Sequence, residues 1–319
     1  MDTDRLEGAI LAAGRGTRMH PFSSEYPKPL LPICGKPLIQ YQIETMRDLG
    51  IRRVFVVIGH NGYRLVQSLG TGEQFGLTLS YVEQTDQMGI AHALGRLEPH
   101  VSAPFLMFLG DIFFTAPDLA QMVALAAHDN LQAVLATKVE SDRDAIRRNF
   151  TVTAEGDGLV TRVIEKPRHV AGNLKGCGLY LFDLEVFDAI RRTPRTAMRD
   201  EYEITNAIQV MIDDGCRIKC ANVVEEDLNL TYPADLLRVN LAQLQRLGRK
   251  RLIGEGAQVV DIERIRRSVL GRNAAVRRPV TIESSVVFDD AVLDTECDIR
   301  NCLVTPTQLV QCAEVRIPA

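Results

Sequence analysis

Residues 8–18 read GAILAAGRGTR, a short apolar run that leads directly into a glycine-rich turn. A run of this length that ends at a turn is typical of a buried strand in a parallel sheet. The glycines allow backbone N–H groups to approach an anion closely, at the carboxyl edge of the sheet where open α/β folds bind their ligands. This stretch therefore predicts an α/β fold with a phosphate-binding turn after its first strand.

Two cations accompany this turn. Arg18 lies within it and Lys28 follows in PKPLLP (27–32), so both side chains can reach one phosphate chain. The turn is not a Walker A loop, because no Gly-Lys-Ser/Thr follows, and Met19 stands where a dinucleotide fingerprint needs its third glycine. We therefore expect a phosphorylated ligand, bound by a loop of another class.

Short apolar runs continue to alternate with amphipathic stretches as far as about residue 223. The further candidate strands span 53–59, 77–82, 105–110, 132–138, 178–183 and 217–223. Apolar residues recur at helical spacing from Leu38 to Leu49, and Gly50 ends that run, which predicts a βαβ unit. The pattern as a whole predicts a Rossmann-like, mainly parallel sheet flanked by helices, with a last helix at 235–247.

The spacing of apolar residues changes beyond residue 250. Val280, Val286 and Val292 recur every six residues, and so do Val276, Ile282 and Phe288. Hexapeptide spacing indicates a short left-handed parallel β-helix, although Asp298 falls out of the first register and an irregular β-sandwich is the alternative. We therefore predict two domains, at residues 1–250 and 251–319.

Composition excludes several classes of function. Thirty-seven Lys and Arg against 41 Asp and Glu give a net charge of −4, so nucleic acid is not an expected partner. The apolar runs are far shorter than the roughly 20 residues of a membrane helix, and the N-terminus lacks a basic secretory start. The seven cysteines form no CxxC pair, which favours reduced thiols over a zinc site. We expect a cytoplasmic protein that binds no membrane.

At the level of motifs, the chain resembles a known family. LAAGRGTRM (11–19) followed by PKPLLPICGKPLIQYQI (27–43) resembles the opening signature of the sugar-1-phosphate nucleotidylyltransferases. Six further blocks follow in family order, at 82–94, 108–114, 163–167, 173–183, 201–208 and 229–237. The resemblance implies transfer of a nucleoside monophosphate from a nucleoside triphosphate to a sugar 1-phosphate, release of pyrophosphate, and assembly as a homo-oligomer.

The resemblance also implies which residues bind the nucleotide. The first block would hold the triphosphate through Leu11, Ala13, Gly14, Gly16, Thr17, Arg18 and Lys28. Gln84 and Gly89 lie in the segment that corresponds to the family's base loop. Asp111 and Asn229 occupy the positions that bind Mg²⁺; many members carry a second aspartate where this chain has Asn229, whose amide oxygen can still be a ligand.

On the sugar side, the resemblance implies that Glu165 binds hydroxyl groups and that Lys166 holds the sugar phosphate. Asn173, Gly176 and Glu203 belong to the neighbouring sugar-binding blocks. Phe150 aligns with a family glycine that lets the backbone meet the sugar, so we expect its ring to reshape the pocket. It could select a less common sugar or a cyclitol phosphate, or reflect a displaced backbone.

Two readings compete with an active sugar nucleotidylyltransferase. One is a non-catalytic regulatory subunit of the same fold, which the unusual Phe150 and Asn229 keep open. The other is a choline-phosphate cytidylyltransferase, which has the same opening signature but does not need the block around Glu165. The sequence determines neither the base nor the sugar, because the Gln84 amide can pair with several base edges. The six histidines show no metal-ligand spacing, and only His92 comes directly after the base loop.

Overall fold

The computed structural model describes residue 1, residues 5–197 and residues 199–315. The chain packs as two compact units. The first unit comprises Met1–Arg15 and Gln42–Asp227, and the second comprises Gly16–Tyr41 and Leu228–Ala319. By packing, the segment 16–41 therefore groups with the C-terminal coils, whereas the division at residue 250 that we predict from the sequence would place it with the N-terminal part.

The strands before residue 230 are β1 (Glu7–Ala12), β2 (Pro32–Ile33), β3 (Lys36–Pro37), β4 (Arg53–Ile58), β5 (Thr78–Glu83), β6 (Phe105–Leu109), β7 (Ile112–Thr115), β8 (Ala133–Val139), β9 (Phe150–Ala154), β10 (Val160–Glu165), β11 (Leu174–Phe182), β12 (Ile218–Ala221) and β13 (Glu226–Asn229). The helices are α1 (Leu38–Asp48), α2 (Tyr63–Leu69), α3 (Ile90–Gly95), α4 (Ala120–Asp129), α5 (Arg143–Arg148), α6 (Val186–Arg192), α7 (Ile204–Asp213) and α8 (Pro233–Arg246). All seven predicted strands and both predicted helices are present.

A nine-stranded sheet forms the centre of the first unit. Its main path runs β10-β9-β11-β6-β1-β4-β5, and β8 and β12 extend it beside β11. The strands β6, β1, β4 and β5 are parallel to one another, whereas β11 is antiparallel to β6, β8 and β9. The mainly parallel sheet predicted from the sequence is confirmed. The carboxyl ends of β1, β4, β5 and β6 meet at one edge, which is where such sheets bind ligands.

The strands of this sheet carry apolar, buried side chains. Ala9, Phe55 and Met107, for example, are at most 1% exposed and belong to one continuous core. That core extends to Phe150 and to α7, through Ala207. The strands that carry the predicted sugar-binding residues and the strand before the predicted phosphate-binding turn therefore pack on one core.

The C-terminal part of the second unit is a three-sided parallel β-helix. Its strands are β14 (Arg251–Ile253), β15 (Gln258–Val259), β16 (Ile265–Arg266), β17 (Ser268–Leu270), β18 (Ala275–Val276), β19 (Ile282–Glu283), β20 (Val286–Val287), β21 (Val292–Leu293), β22 (Ile299–Arg300), β23 (Cys302–Val304) and β24 (Leu309–Gln311). They form three sheets, β14-β17-β20-β23-β24, β15-β18-β21 and β16-β19-β22. All pairs are parallel except β23 with β24.

Each coil of this β-helix has 17 residues. Arg251 pairs with Ser268 and Ile265 with Ile282, both 17 positions apart along the chain. A coil of three exact hexapeptides would have one residue more. Positions spaced six apart in the sequence therefore shift by one residue in each successive coil. This explains why Asp298 falls out of the predicted pattern, and why Val292, in the same predicted register as Val280, is 49% exposed.

Within the described residues, no helix combines the length and the apolar character needed to cross a bilayer.

Candidate active site

Asp111 lies in the turn between β6 and β7, at the carboxyl edge of the sheet, and is partly exposed. The preceding residue, Gly110, donates a backbone hydrogen bond of 2.9 Å to the carbonyl oxygen of Leu11 at the end of β1. A Cβ atom at Gly110 would stand 2.8 Å from that same oxygen, so only glycine allows this approach. The structure thus places the predicted metal-binding carboxylate beside the end of the first strand.

Gln42 of α1 holds this turn, although no sequence motif singles it out. Its Nε2 atom donates to the carbonyl oxygens of Leu109, at 2.8 Å, and of Ile112, at 3.0 Å. These two residues flank Gly110 and Asp111. Gln42 is 1% exposed, and its Oε1 atom is buried without a hydrogen-bond partner among the described residues. The buried Gln42 side chain therefore stabilises the turn that contains Asp111.

The predicted base loop is well ordered by its own contacts. Gln84 is only 4% exposed, and its Nε2 atom lies 2.9 Å from Nδ1 of His92. An amide nitrogen can only donate, so His92 accepts at Nδ1 and carries its proton on Nε2. Burial, together with the positive charge of Arg96, lowers the pKa of His92 although the carboxylate of Asp86 opposes them. The ring is therefore neutral at physiological pH.

Gly89 joins the base loop to the segment that leads into α7. Its φ of 105° is in the region that favours glycine, and a Cβ atom there would lie 2.8 Å from the backbone nitrogen of Tyr202. The backbone of Ala91 donates to the Tyr202 carbonyl oxygen at 2.9 Å, and Tyr202 donates to that of Met88 at 2.7 Å. Gln87 reaches the carbonyl oxygen of Ala13 at 2.5 Å. The base loop thus connects the predicted triphosphate turn to the sugar-side helix.

A cluster of charged side chains lies where the sequence predicts the sugar site. Glu203, at the N-terminus of α7, is 4% exposed and accepts from Nη1 of Arg199 at 2.8 Å. The same nitrogen lies 3.4 Å from Oε1 of Glu165, and Thr205 donates to Oε2 of Glu165 at 3.5 Å. Burial raises the pKa of Glu165, and the nearby charge of Glu203 raises it further. Two carboxylates thus share one guanidinium, from an arginine that the sequence analysis missed.

Lys166 completes this cluster with an unusual backbone. Its φ is 40°, in the left-handed region that lysine rarely adopts, at a cost of roughly 1–3 kcal/mol. Its backbone N–H donates to the Asn149 carbonyl oxygen at 2.7 Å, and its Nζ atom lies 3.6 Å from Oε1 of Glu165. The side chain remains exposed. A strained, exposed cation beside a partly buried carboxylate suits the capture of a phosphorylated ligand.

Phe150 lies directly between two of the predicted sugar-side residues. In the sheet it pairs with Glu165 on one side and with Gly176 on the other. Its ring occupies the space over Gly176 that a side chain there would need, and it stacks on Tyr180 with centroids 6.0 Å apart. Phe150 is 5% exposed and belongs to the main core. Whether it shapes the pocket stays a prediction, but its register places it beside Glu165.

The sixth predicted sugar-side residue, Asn173, is exposed, and its carbonyl oxygen accepts from the backbone of Glu140 at 2.8 Å. Two positions further along the chain, in β11, Lys175 forms an ion pair of 2.7 Å with Asp227. Their side chains are only 4% and 1% exposed. This buried pair is another feature that the sequence analysis missed, because a lysine and an aspartate 52 positions apart give no local signal.

Two cations lie at the glycine-rich turn in the second unit. Gly16 has a φ of 63°, and a Cβ atom there would lie 2.9 Å from the side chain of Lys28, which therefore crosses directly over the turn. Arg18 is exposed, and its guanidinium carbon lies 6.0 Å from the ring centroid of Tyr232, just before α8. Thr17 is exposed as well, and so is Gly14, which belongs to the first unit. This arrangement leaves backbone and cations accessible to a phosphate chain.

The donors assigned to Mg²⁺ suit that ion chemically. Asp111 offers a carboxylate and Asn229, at the end of β13, an amide oxygen; both residues are partly exposed. Mg²⁺ commonly binds through one or two protein oxygens together with substrate phosphates. Among the described residues there is no group of three or more His, Cys, Asp or Glu that could hold a metal ion, and all seven cysteines are free.

Comparison with known proteins decides the family. Residues 7–226 match the model of the nucleotidyl transferase family, and residues 240–315 match that of the GlmU-like C-terminal hexapeptide. The chain belongs to the nucleotidyl transferase family. The predicted family, the α/β fold with a C-terminal left-handed β-helix, and the predicted class of enzyme, a sugar-1-phosphate nucleotidylyltransferase, are confirmed.

Curated relatives and a solved structure support the assignment to nucleotidyl transferases. The chain is 32% identical to the UTP–glucose-1-phosphate uridylyltransferase AglF of Haloferax volcanii, over 72% of its own length and 93% of that protein. It is 29% identical to a glucose-1-phosphate thymidylyltransferase of Streptomyces antibioticus, over 95% and 85%. A UDP-glucose pyrophosphorylase in complex with UDP-glucose shares the fold, with a TM-score of 0.68 and 23% identity over 76% of this chain and 99% of that one.

Proposed function

We propose that this nucleotidyl transferase joins a nucleoside triphosphate to a sugar or cyclitol 1-phosphate at the residues described above, with Mg²⁺ as cofactor. The observation that carries the residue assignment is the cluster of Glu165, Lys166, Arg199 and Glu203. The carboxylates of the buried Glu203 and the partly buried Glu165 can accept hydrogen bonds from hydroxyl groups, and the exposed Lys166 beside them can hold the phosphate of the same molecule. Together they match the two ends of a sugar phosphate.

The reaction needs alignment and charge neutralisation more than acid–base catalysis. A non-bridging oxygen of the sugar phosphate attacks the α-phosphorus, the bond from that phosphorus to the bridging oxygen breaks, and pyrophosphate leaves with the electron pair. Lys166 orients the nucleophile, Arg18 stabilises charge on the departing pyrophosphate, and Lys28 steadies the triphosphate. Because the attacking oxygen belongs to the substrate, no covalent enzyme intermediate is required.

Asp111 and Asn229 would hold the Mg²⁺ ion. When bound, the ion supplies positive charge that neutralises the phosphate oxygens of the two substrates. Asn229 contributes no formal charge, so Asp111 is the sole carboxylate of this pair. Asp111→Asn should therefore nearly abolish turnover with an intact fold; turnover within a few-fold of wild type, with unchanged Mg²⁺ dependence, would contradict the assignment.

The decisive experiment measures pyrophosphate release. The five common nucleoside triphosphates are combined with hexose, aminohexose, heptose and cyclitol 1-phosphates, and Arg18→Ala and Lys28→Ala are assayed with the best pair. Turnover with one pair, reduced about 100-fold or more in kcat/KM by either variant, supports the proposal. Binding of a nucleotide-sugar without turnover of any pair would favour the alternative of a regulatory subunit.

We further propose a cytoplasmic homo-oligomer that assembles through the β-helix. The side of the β-helix formed by β15, β18 and β21 carries exposed apolar residues, Val260 at 62% and Val292 at 49%. A second copy of the chain would bury such an exposed apolar surface. Val260→Glu with Val292→Glu should reduce the mass in analytical ultracentrifugation, while Glu73→Gln on the exposed surface of the first unit should leave it unchanged. An unchanged mass in the double variant would contradict this interface.

A further inference from the structure

Phe288 follows β20 in the β-helix, but its ring does not belong to the interior of the coils. The interior cluster contains its neighbour Val287 and, from adjacent coils, Leu270 and Val304. Phe288 is outside that cluster, yet it is only 3% exposed. One coil earlier, 17 positions back, the corresponding residue is Gly271. Phe288 is therefore a large apolar side chain on the outer surface of the β-helix, buried by something other than the coils.

The residues that bury it come from the segment 16–41. The ring of Phe22 stacks on Phe288 with centroids 5.7 Å apart and planes inclined by 15°. Tyr26 meets the same ring edge-on, with centroids 5.5 Å apart. Phe22 is fully buried. Three aromatic rings thus join this segment to one position of the β-helix, and aromatic pairs of this kind add to the stability that burial alone provides.

Polar contacts hold the same segment at further points. Thr307, near the end of the β-helix, donates to Oε1 of Glu25 at 2.9 Å. Asn240 of α8 is fully buried; it accepts from the backbone of Cys34 at 2.8 Å and donates to the carbonyl oxygen of Pro32, also at 2.8 Å. The side chains that make these contacts all come from residues after 239.

The two proposed triphosphate-binding cations lie on either side of Phe22 and Tyr26 in the sequence. Arg18 precedes Phe22 by four residues, and Lys28 follows Tyr26 by two. The chain between them cannot shift relative to Phe288 without breaking the ring stack. The positions of Arg18 and Lys28 within the second unit are thus set by a side chain of the β-helix, more than 250 residues further along the chain.

We propose that Phe288 is a positioning residue for the triphosphate-binding segment. The β-helix then contributes to nucleotide binding as well as to assembly. This inference rests on the proposed roles of Arg18 and Lys28. Loss of the ring should loosen the segment, lower the affinity for the nucleoside triphosphate and reduce kcat, while the interior of the coils, to which Phe288 does not contribute, stays packed.

The test compares Phe288→Ala and the milder Phe288→Leu with Ile282→Val, which trims a residue of the coil interior. We expect both Phe288 variants to raise the Kd for UTP or dTTP, measured calorimetrically in the absence of sugar phosphate, by about tenfold or more for alanine and less for leucine. Ile282→Val should leave it within twofold. Phe22→Ala should match Phe288→Ala, and the double variant should lose no more than either single one, because both remove the same contact.

The outcomes separate this inference from the proposed function. If Arg18→Ala weakens triphosphate binding but folded Phe288→Ala and Phe288→Leu bind as tightly as wild type, the positioning role of Phe288 is wrong and the proposed function stands. If Phe288→Ala fails to fold, the leucine variant decides in the same way. If Arg18→Ala itself binds and turns over normally, the proposed role of the segment fails, and the inference fails with it.

Discussion

The side-chain amide of Gln84 donates to Nδ1 of His92 over 2.9 Å, which fixes the orientation of the amide and leaves its Oε1 atom as an acceptor. An acceptor there can pair with the ring N–H that uracil, thymine and guanine offer, whereas cytosine and adenine, whose ring nitrogens are unprotonated, can offer it only an exocyclic amino group. We therefore expect UTP, dTTP or GTP to be preferred over CTP and ATP by about 100-fold or more in kcat/KM.

His92 enforces this preference. In His92→Leu the amide of Gln84 is free to rotate, so the ratio of kcat/KM for the best triphosphate to that for CTP should fall at least tenfold. His60→Leu, remote from the loop in sequence, is the control. Loss of activity with an unchanged ratio would show that His92 supports only the fold of the loop.

Replacement of Glu165 by glutamine should stabilise the protein while it removes activity. The pKa of Glu165 is raised in the folded state, so the folded protein binds this proton more tightly than the unfolded chain, and Glu165 destabilises the fold increasingly as the pH rises above the ordinary glutamate pKa of about 4.3. Glutamine carries no such cost. The gain in the free energy of unfolding should be present at pH 7–8 and vanish below about pH 4, as urea titrations can show.

Glu73→Gln, at an exposed position, is the control for that series and should give no pH-dependent difference. If the Glu165→Gln protein is less stable than wild type at pH 8, the attraction of the Glu165 carboxylate to Arg199 and Lys166 outweighs the cost of burying its charge.

Gln42→Leu should raise the Mg²⁺ concentration needed for half-maximal turnover about tenfold. The variant loses both hydrogen bonds that hold the turn around Asp111, so the carboxylate is less well placed. Thr193→Val is the matched control, since it removes one buried hydrogen bond, to Ala189, on α6. If both variants lose only stability and keep the wild-type Mg²⁺ dependence, Gln42 is a structural residue.

Phe150→Leu should change the ranking of sugar phosphates. Its ring lies between Glu165 and Gly176, so a smaller side chain should raise kcat/KM for common hexose 1-phosphates relative to the native substrate by about tenfold, or roughly 1.4 kcal/mol. Phe182→Leu alters the next ring in the same stack, 5.5 Å from Tyr180, and should only lower stability. An identical ranking in both variants would make Phe150 a core residue alone.

The buried pair of Lys175 and Asp227 allows a test of stability. Lys175→Met or Asp227→Leu alone leaves a buried charge without its partner and should cost about 3–5 kcal/mol in the free energy of unfolding. The double variant should recover most of this loss, because an apolar pair needs no compensation. Additive losses in the double variant would show that the two side chains do not act as a pair.

The sequence by itself determined the elements and their class. GAILAA and the glycines after it predicted β1 and the turn, and apolar spacing predicted seven strands and two helices, because a strand or helix shows its buried face in local periodicity. The ordered blocks predicted Asp111, Glu165 and Lys166 as site residues. It did not predict Gln42 or Arg199, since a glutamine on an amphipathic helix and an arginine in a loop look like surface residues.

Only the tertiary structure decided which residues meet. Strand register placed Phe150 between Glu165 and Gly176, and burial committed the Gln84 amide to His92, an orientation that no sequence pattern specifies. The hexapeptide spacing predicted Phe288 in one register with Val276 and Ile282, whereas coils of 17 residues leave its ring outside, against Phe22. Local periodicity records which side chains are buried, but long-range packing selects the partner that buries them.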